Sequence, residues 1–339
     1  MPLLEDFSSI FEVPDFIKPH LHFFATEEEM QLVVMLAKDS LSIAAIATRL
    51  SRNEEAVAGF LEQAYQRYIL NKEVQENTVY FSVGDFYHRL KNFCLFGNYH
   101  IIPGKIRKEL DAWDFAEYLK RNDYFRKVID TGPEYDNCHN EWILLLHEVE
   151  DMIDAASVIR VLPCDCKMLA DNCDHSREIC LVLDDNHRSD RSGGRELSKE
   201  EAKKLVHKLD REGLMHTGGP PNWQETGSCV VCNCCTCCCY PFRAAKHLGT
   251  KGKWPKSRYV AVYDSSRCLQ CGLCVKRCGF SAFDFSGTGT EKSGKVKKNI
   301  SYTPELCWGC GICVNACPAQ AIRLINIPSE ETTKLVDRQ

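Results

Sequence analysis

The chain has 339 residues, a formal net charge of −5, 44% apolar side chains and 26% charged ones. That balance describes a folded protein of two or three domains and excludes wholesale disorder. No run of about 18 apolar residues lacks charge, so no spanning helix is expected. The opening Met1-Pro2-Leu3-Leu4-Glu5 lacks the basic and apolar regions of a signal peptide, which predicts a cytoplasmic protein. The 21 cysteines outweigh every other compositional fact. In a reducing compartment, thiols at short regular spacing point to bound metal rather than to disulfides. Only Cys94 and Cys138 precede residue 160, so the N-terminal half reads as metal-free and the C-terminal half as metal-rich.

Residues 1–25 read as an N-terminal extension, and residues 26–81 as helix, helix, helix and hairpin. Thr26 with Glu29, and Ser51 with Glu54, have the spacing of capping boxes. LSIAAIATRL and AVAGFLEQAYQRYIL repeat their apolar residues at helical period, and NKEVQENTVYFSV looks like a two-stranded wing. This pattern resembles a winged helix-turn-helix. The resemblance implies a fold that often binds DNA, but the charge argues against that partner. Residues 41–81 carry a net charge of −1, and Glu54-Glu55 opens the presumptive recognition helix. Phosphate neutralisation requires Lys and Arg, so a protein-docking or structural module is expected.

Residues 82–156 read as mostly helical, with an amphipathic helix starting at Glu141 in EWILLLHEVEDMIDAA. Phe86, Tyr87, Phe93, Phe96, Tyr99, Trp113, Phe115, Tyr118, Tyr124 and Phe125 are expected to form core rather than to stack on a flavin. His88, His100, His139 and His147 are isolated and are not read as ligands. Neither common glycine-rich phosphate loop occurs, so nucleotide binding is not indicated.

Residues 157–240 read as a cysteine-rich α/β middle domain. SVIRVLPC predicts a strand ending at Cys164, EICLVL a strand through Cys180, and LMHTGG another strand or turn. Between them, Ser198 with Glu201 caps a helix that Gly213 stops. Cys164, Cys166, Cys173 and Cys180 are spaced C-x-C-x6-C-x6-C. Cys229, Cys232, Cys234, Cys235, Cys237, Cys238 and Cys239 place seven thiols within eleven residues. Adjacent thiols on extended chain alternate in direction, so they cannot all face one metal. Cys232, Cys234 and one later thiol are expected to converge, with Cys164 and Cys180 meeting them from the strand ends. At least one further iron–sulfur cluster is expected, with ligands from both groups. Zinc is the alternative, and uncoordinated or redox-active thiols are the other. The block lacks the CCG-type pairs of heterodisulfide reductases that carry non-cubane clusters.

Residues 241–257 read as a basic linker, and residues 258–327 hold an internal repeat. RYVAVYDSSRCLQCGLCVKRCGFSAFDF is followed by KNISYTPELCWGCGICVNACPAQAIRLI, with Cys268 and Cys307 39 positions apart. Each copy has a β-prone run, then C-x2-C-x2-C-x3-C, then a second apolar run. This resembles the bacterial-type two-cluster ferredoxins. The resemblance implies two 4Fe–4S clusters, each held by three cysteines of one run and the fourth of the other. Cluster one would take Cys268, Cys271, Cys274 and Cys317, and cluster two Cys307, Cys310, Cys313 and Cys278. Gly272 and Gly311 suit a backbone curling around sulfide. Pro318 follows the family pattern, whereas Gly279 stands where the family has proline. Residues 287–298 read as a hairpin or loop, and 328–339 as a polar tail.

The expected fold class is therefore α+β and multidomain. The expected function is single-electron relay between a soluble low-potential donor and a partner oxidoreductase, in anaerobic metabolism. Thirteen basic against three acidic residues give 241–300 a net charge of +10, which suits an acidic ferredoxin or flavodoxin as partner. Two alternatives stand beside it. One is a reductase or cofactor-activating enzyme with a catalytic cluster in the middle domain, which the spare cysteines oppose. The other is a redox-responsive DNA-binding regulator, which the acidic presumptive recognition helix opposes.

Overall fold

A computed structural model describes residues 2–122, 142–184, 191, 193–219, 223–226, 229–290 and 296–327. Cys138, His139, Tyr124, Phe125 and the tail from 328 lie outside them. The chain divides into two compact units. The first comprises Met1–Glu117 with Met168–Ala170 and Ser189–Gly193, and the second comprises Tyr118–Lys167, Asp171–Arg188 and Gly194–Gln339.

The first unit begins with α1 (Pro2–Ile10) and a 3-10 helix (Asp15–Phe23), followed by α2 (Glu27–Leu36). The extension is part of the fold, because Phe7, Phe11, Ile17 and Phe24 are fully buried. Thr26 caps α2: its hydroxyl accepts from Glu29 N, and Glu29 returns a bond to Thr26 N. Next come β1 (Leu41–Ser42), α3 (Ile43–Leu50), α4 (Glu54–Gln66) and the hairpin β2 (Leu70–Gln75) and β3 (Thr78–Val83). The sheet order is β1-β3-β2. The two-residue turn Glu76-Asn77 has both φ positive, the mirror-image geometry that matches strand twist. The Ser51–Glu54 capping box does not form. Ser51 ends α3 in the left-handed region, and Asn53 caps α4 by accepting from Glu55 N and Ala56 N.

The unit closes with α5 (Phe86–Phe96) and α6 (Gly104–Arg121). Phe24 meets Phe86 and Phe93 edge-on at 5.0 and 5.1 Å. Phe86, Tyr87, Phe93 and Tyr99 are core, while Phe96 is exposed. Burial of Arg89 pulls its guanidinium down to about 9, and its Nε donates to the Phe24 carbonyl at 2.7 Å.

The second unit is built on a six-stranded antiparallel sheet of order β4-β8-β9-β6-β5-β7. Its strands are β4 (Trp142–Leu144), β5 (Ile159–Pro163), β6 (Glu178–Leu183), β7 (Arg195–Glu196), β8 (Met215–Gly218) and β9 (Cys229–Cys234). The helix expected from Glu141 starts later, as α7 (Leu146–Ala155), because Trp142–Leu144 pairs with β8 instead. A short apolar run cannot be told from buried helix by period alone. A short helix α8 (Asp165–Ala170) follows β5, and α9 (Lys199–Arg211) starts at the Ser198–Glu201 capping box. Val149, Ile153, Ala202 and Val206 from α7 and α9 cover Val161, Leu181, Leu183 and Val231 of the sheet.

Residues 241–257 are not free linker. They carry most of α10 (Tyr240–Leu248) and bury Trp254. Phe242 meets Trp308 edge-on at 5.4 Å, and Phe280 stacks on Trp308 at 4.6 Å, joining α10 to the repeats. The repeats supply β10 (Tyr259–Tyr263), α11 (Leu273–Arg277), β11 (Phe283–Thr290), β12 (Val296–Tyr302), α12 (Ile312–Ala316) and β13 (Ile322–Asn326). The first strand of one copy pairs with the last of the other: β10 with β13, and β11 with β12.

Polar clamps bind the repeats to the sheet. Arg258 donates to both carboxylate oxygens of Glu148 at 2.6 Å and to the Ile143 carbonyl at 2.9 Å. Asn315 on α12 donates to Asp210 on α9 at 2.8 Å. Burial would raise the Glu148 carboxyl, but the hydrogen bonds and charge of Arg258 outweigh it and hold it low. Arg258→Ala should cost about 1–3 kcal/mol at neutral pH, because it strands a half-buried carboxylate. That stabilisation is present above the ordinary carboxylate range and is lost as pH falls through the depressed value. Unfolding curves of the two proteins should therefore converge at acid pH.

Candidate metal centres

The repeats place their eight cysteines around two small cavities. Cys268, Cys271, Cys274 and Cys317 line one. Cys278, Cys307, Cys310 and Cys313 line the other. Each cavity thus draws three thiols from one run and the fourth from the other.

Backbone geometry repeats at the same 39-residue offset. Gln270 and Gly309, Gly272 and Gly311, and Ser281 and Gln320 all have positive φ. Three of these six are non-glycine residues held in a conformation that disfavours side chains. Amides turned inward by these bends reach the sulfurs. Gln270 N donates to Cys268 Sγ at 3.2 Å and Gly309 N to Cys307 Sγ at 3.4 Å. Ala282 N and Ala321 N donate to Cys278 Sγ and Cys317 Sγ, both at 3.2 Å. Burial pushes the Cys274 thiol up to about 11 and the Cys310 thiol up to about 12. Clustered buried thiols resist ionising until a cation compensates them, and cluster iron supplies that charge. The donor set and the amides aimed at sulfur fit iron–sulfur clusters.

Two further residues belong to the same symmetry and went unread in the sequence. Tyr263 contacts Cys268 and Tyr302 contacts Cys307, each five positions before the first cysteine of its run. The repeat spacing was the available signal. The copies differ at Leu269 and Trp308, which occupy the same repeat position. Leu269 is 66% exposed and Trp308 is 5% exposed.

Gly279 also has a physical reason. A Cβ there would lie 2.7 Å from both Cγ2 and Oγ1 of Thr236. Proline would not fit against the Cys235–Cys239 turn, so this departure from the ferredoxin pattern records close packing on the middle domain.

The middle cysteines separate into two groups and one outlier. In β9, alternation puts Cys229 with Val231 on the face toward the apolar core, and Cys232 with Cys234 on the other. Cys229 joins neither group, and its sulfur accepts from Gly219 N at 3.4 Å. The first group is buried to partly buried and forms an open ring of contacts. Cys166 contacts Cys164, which contacts Cys180. Cys180 contacts Cys232, and Cys234 contacts both Cys232 and Cys239. Cys239 Sγ lies 3.2 Å from Cys234 Sγ, and Cys166 acts electrostatically on Cys239. Thiols on either side hold Cys180 down to about 6 and hold Cys234 low. The same contacts, from Cys180 and Cys234, push Cys232 up.

The second group is Cys173, Cys235, Cys237 and Cys238, whose sulfurs all lie within 4.8 Å of one another. Cys173 Sγ is 3.8 Å from Cys235 Sγ and 3.6 Å from Cys238 Sγ. The turn at 236–238 brings the last three together, and Asn172 donates to the Cys237 carbonyl at 3.4 Å. Donation by the Cys238 thiol, with the charge of Lys167, pulls Cys235 down to about 4.

Lys167 sits among both groups. It is buried, and its Nζ donates to the Asn233 carbonyl at 2.9 Å. Burial would lower its pKa, but Cys164, Cys235, Cys234 and Cys180 together raise it. No motif in the sequence marks this lysine, since only folding brings it to the thiols.

Residues 261–324 match the family model described as a 4Fe-4S dicluster domain. No curated protein and no solved structure matches the chain. The C-terminal repeats form a domain that carries two 4Fe–4S clusters, which supports an iron–sulfur, electron-transfer role in general. The middle thiols add groups suited to further metal. Among the described residues, no helix is long and apolar enough to cross a membrane.

Removing the Lys167 charge should be felt as a redox effect. Lys167→Met is expected to make any metal centre at the middle thiols harder to reduce, by on the order of 100 mV for a charge at close range. Potentiometric titration of the anaerobic protein reads it. The C-terminal clusters should shift far less.

Proposed function

We propose that the chain is an electron relay whose first cluster meets a soluble low-potential donor and whose second hands electrons inward. Cluster one is assigned Cys268, Cys271, Cys274 and Cys317, and cluster two Cys307, Cys310, Cys313 and Cys278. The observation that carries the polarity is the unequal burial of one repeat position. Leu269 is exposed beside the exposed Cys271, whereas Trp308 is buried beside Cys307. Cluster two also adjoins Gly279, which packs on the cysteine turn of the middle domain. Electrons arriving at the exposed end therefore have a through-protein route toward the buried thiols.

The six-thiol ring is assigned a third iron–sulfur centre. Six thiols in an open ring of contacts exceed what one tetrahedral ion takes, and a polynuclear centre would use more of them. The buried ammonium of Lys167 offsets its negative charge. The ring has no need of side-chain acid–base groups for outer-sphere transfer. A partner oxidoreductase would receive the electrons. The helices and hairpin of 26–81, read as a winged-helix-like module, would dock that partner as a protein-binding element. Glu54 and Glu55 in the first turn of α4 suit this better than phosphate.

Arg267 and Lys276 are exposed beside cluster one and suit an acidic donor such as ferredoxin or flavodoxin. Reversing both charges, Arg267→Glu with Lys276→Glu, should slow reduction by an acidic ferredoxin about tenfold at low salt. The gap should close at high salt. Equal rates for the two proteins at low ionic strength would overturn docking at this end.

A further inference from the structure

We infer that Cys173, Cys235, Cys237 and Cys238 hold a single zinc ion, separate from every iron–sulfur centre of the chain. Sulfur spacing distinguishes the two kinds of site. Tetrahedral zinc with bonds of about 2.3 Å places its thiolates about 3.8 Å apart. A cubane anchors each thiolate on a different iron, so its four thiolates do not converge on one point. Here the separations are 3.8 Å for Cys173 to Cys235, 3.6 Å for Cys173 to Cys238 and 3.8 Å for Cys237 to Cys238. All four sulfurs fall within 4.8 Å of one another, so the site has the dimensions of one ion. At one set of thiolates zinc binds more tightly than ferrous iron.

Local chain geometry agrees with a closed structural site. Cys235 and Cys238 are spaced C-x2-C on a turn, and Cys239 N donates to the Cys235 carbonyl at 3.4 Å. Cys173, reaching in from the segment after α8, supplies the fourth sulfur and ties together positions 62 apart in the chain. Thr236 projects from this same turn onto Gly279, next to Cys278 of the second cluster. The ion would thus fix the surface on which cluster two is seated. Zinc carries no electrons, so it serves the relay as a brace.

The test uses full-length protein purified anaerobically, with metals counted and the zinc edge read by X-ray absorption. One zinc per chain is expected beside the cluster iron, with a first shell of four sulfurs at about 2.3 Å. Cys237 is the exposed ligand. Cys237→Ser should cut retained zinc at least tenfold after brief chelation and leave iron and acid-labile sulfide unchanged. Absence of zinc, a shell containing nitrogen or oxygen, or loss of iron and sulfide in the variant would each overturn the assignment. If Cys237→Ser does not fold, the wild-type absorption shell decides the matter alone.

Discussion

Neither cysteine run lines a cavity alone. Three sulfurs come from one copy and the fourth from the other, so two copies of the repeat must fold as one object. This exchange explains why β10 pairs with β13 and β11 with β12, rather than each copy closing on itself. It also explains the left-handed residues at Gln270, Ser281 and Gln320, whose inward amides and neighbours embrace sulfur. Side chains that differ between copies adopt the same backbone, which points to a common constraint outside the side chains themselves. Bound clusters are that constraint, and their formation stabilises the fold that binds them.

The copies are symmetric in backbone and asymmetric in surroundings. Leu269 faces solvent, and Trp308 is buried in a three-ring cluster with Phe242 and Phe280. The clamp of Arg258 on Glu148 and the contact of Gly279 with Thr236 hold one end of the module against the sheet. An electron carrier that diffuses freely needs no such seating. A relay that passes electrons inward, as proposed, would need a fixed distance, and these contacts would supply it. In the middle domain, strand alternation does the sorting. Val231 and Cys229 complete the apolar core, while Cys232 and Cys234 face the thiol ring.

Much of this was legible in the sequence where the signal is local. The repeat spacing sets out the eight C-terminal thiols, and the capping boxes at Thr26 and Ser198 mark real helix starts. Local signals misled where a neighbour competed. Ser51 has the capping spacing but adopts the left-handed C-terminal position of α3, so Asn53 takes the role. The run at Trp142–Leu144 looks helical, yet β8 offers it a partner that appears only in the folded sheet. The meeting of Cys232, Cys234 and a later thiol with Cys164 and Cys180 was expected from strand alternation, but Lys167 and the group of Cys173, Cys235, Cys237 and Cys238 were beyond reach. Both depend on contacts across more than 60 residues, which spacing does not encode.

The exchange of the fourth thiol is the claim on which the account rests, and electron paramagnetic resonance of reduced single variants tests it. Cys317 belongs to the second run but lines the cavity of the first. Cys317→Ser should therefore alter the same spectral component as Cys271→Ser and leave the component altered by Cys310→Ser intact. If Cys317→Ser instead changes the component that Cys310→Ser changes, each run completes its own cluster. The interleaved assignment of the eight cysteines would then be wrong.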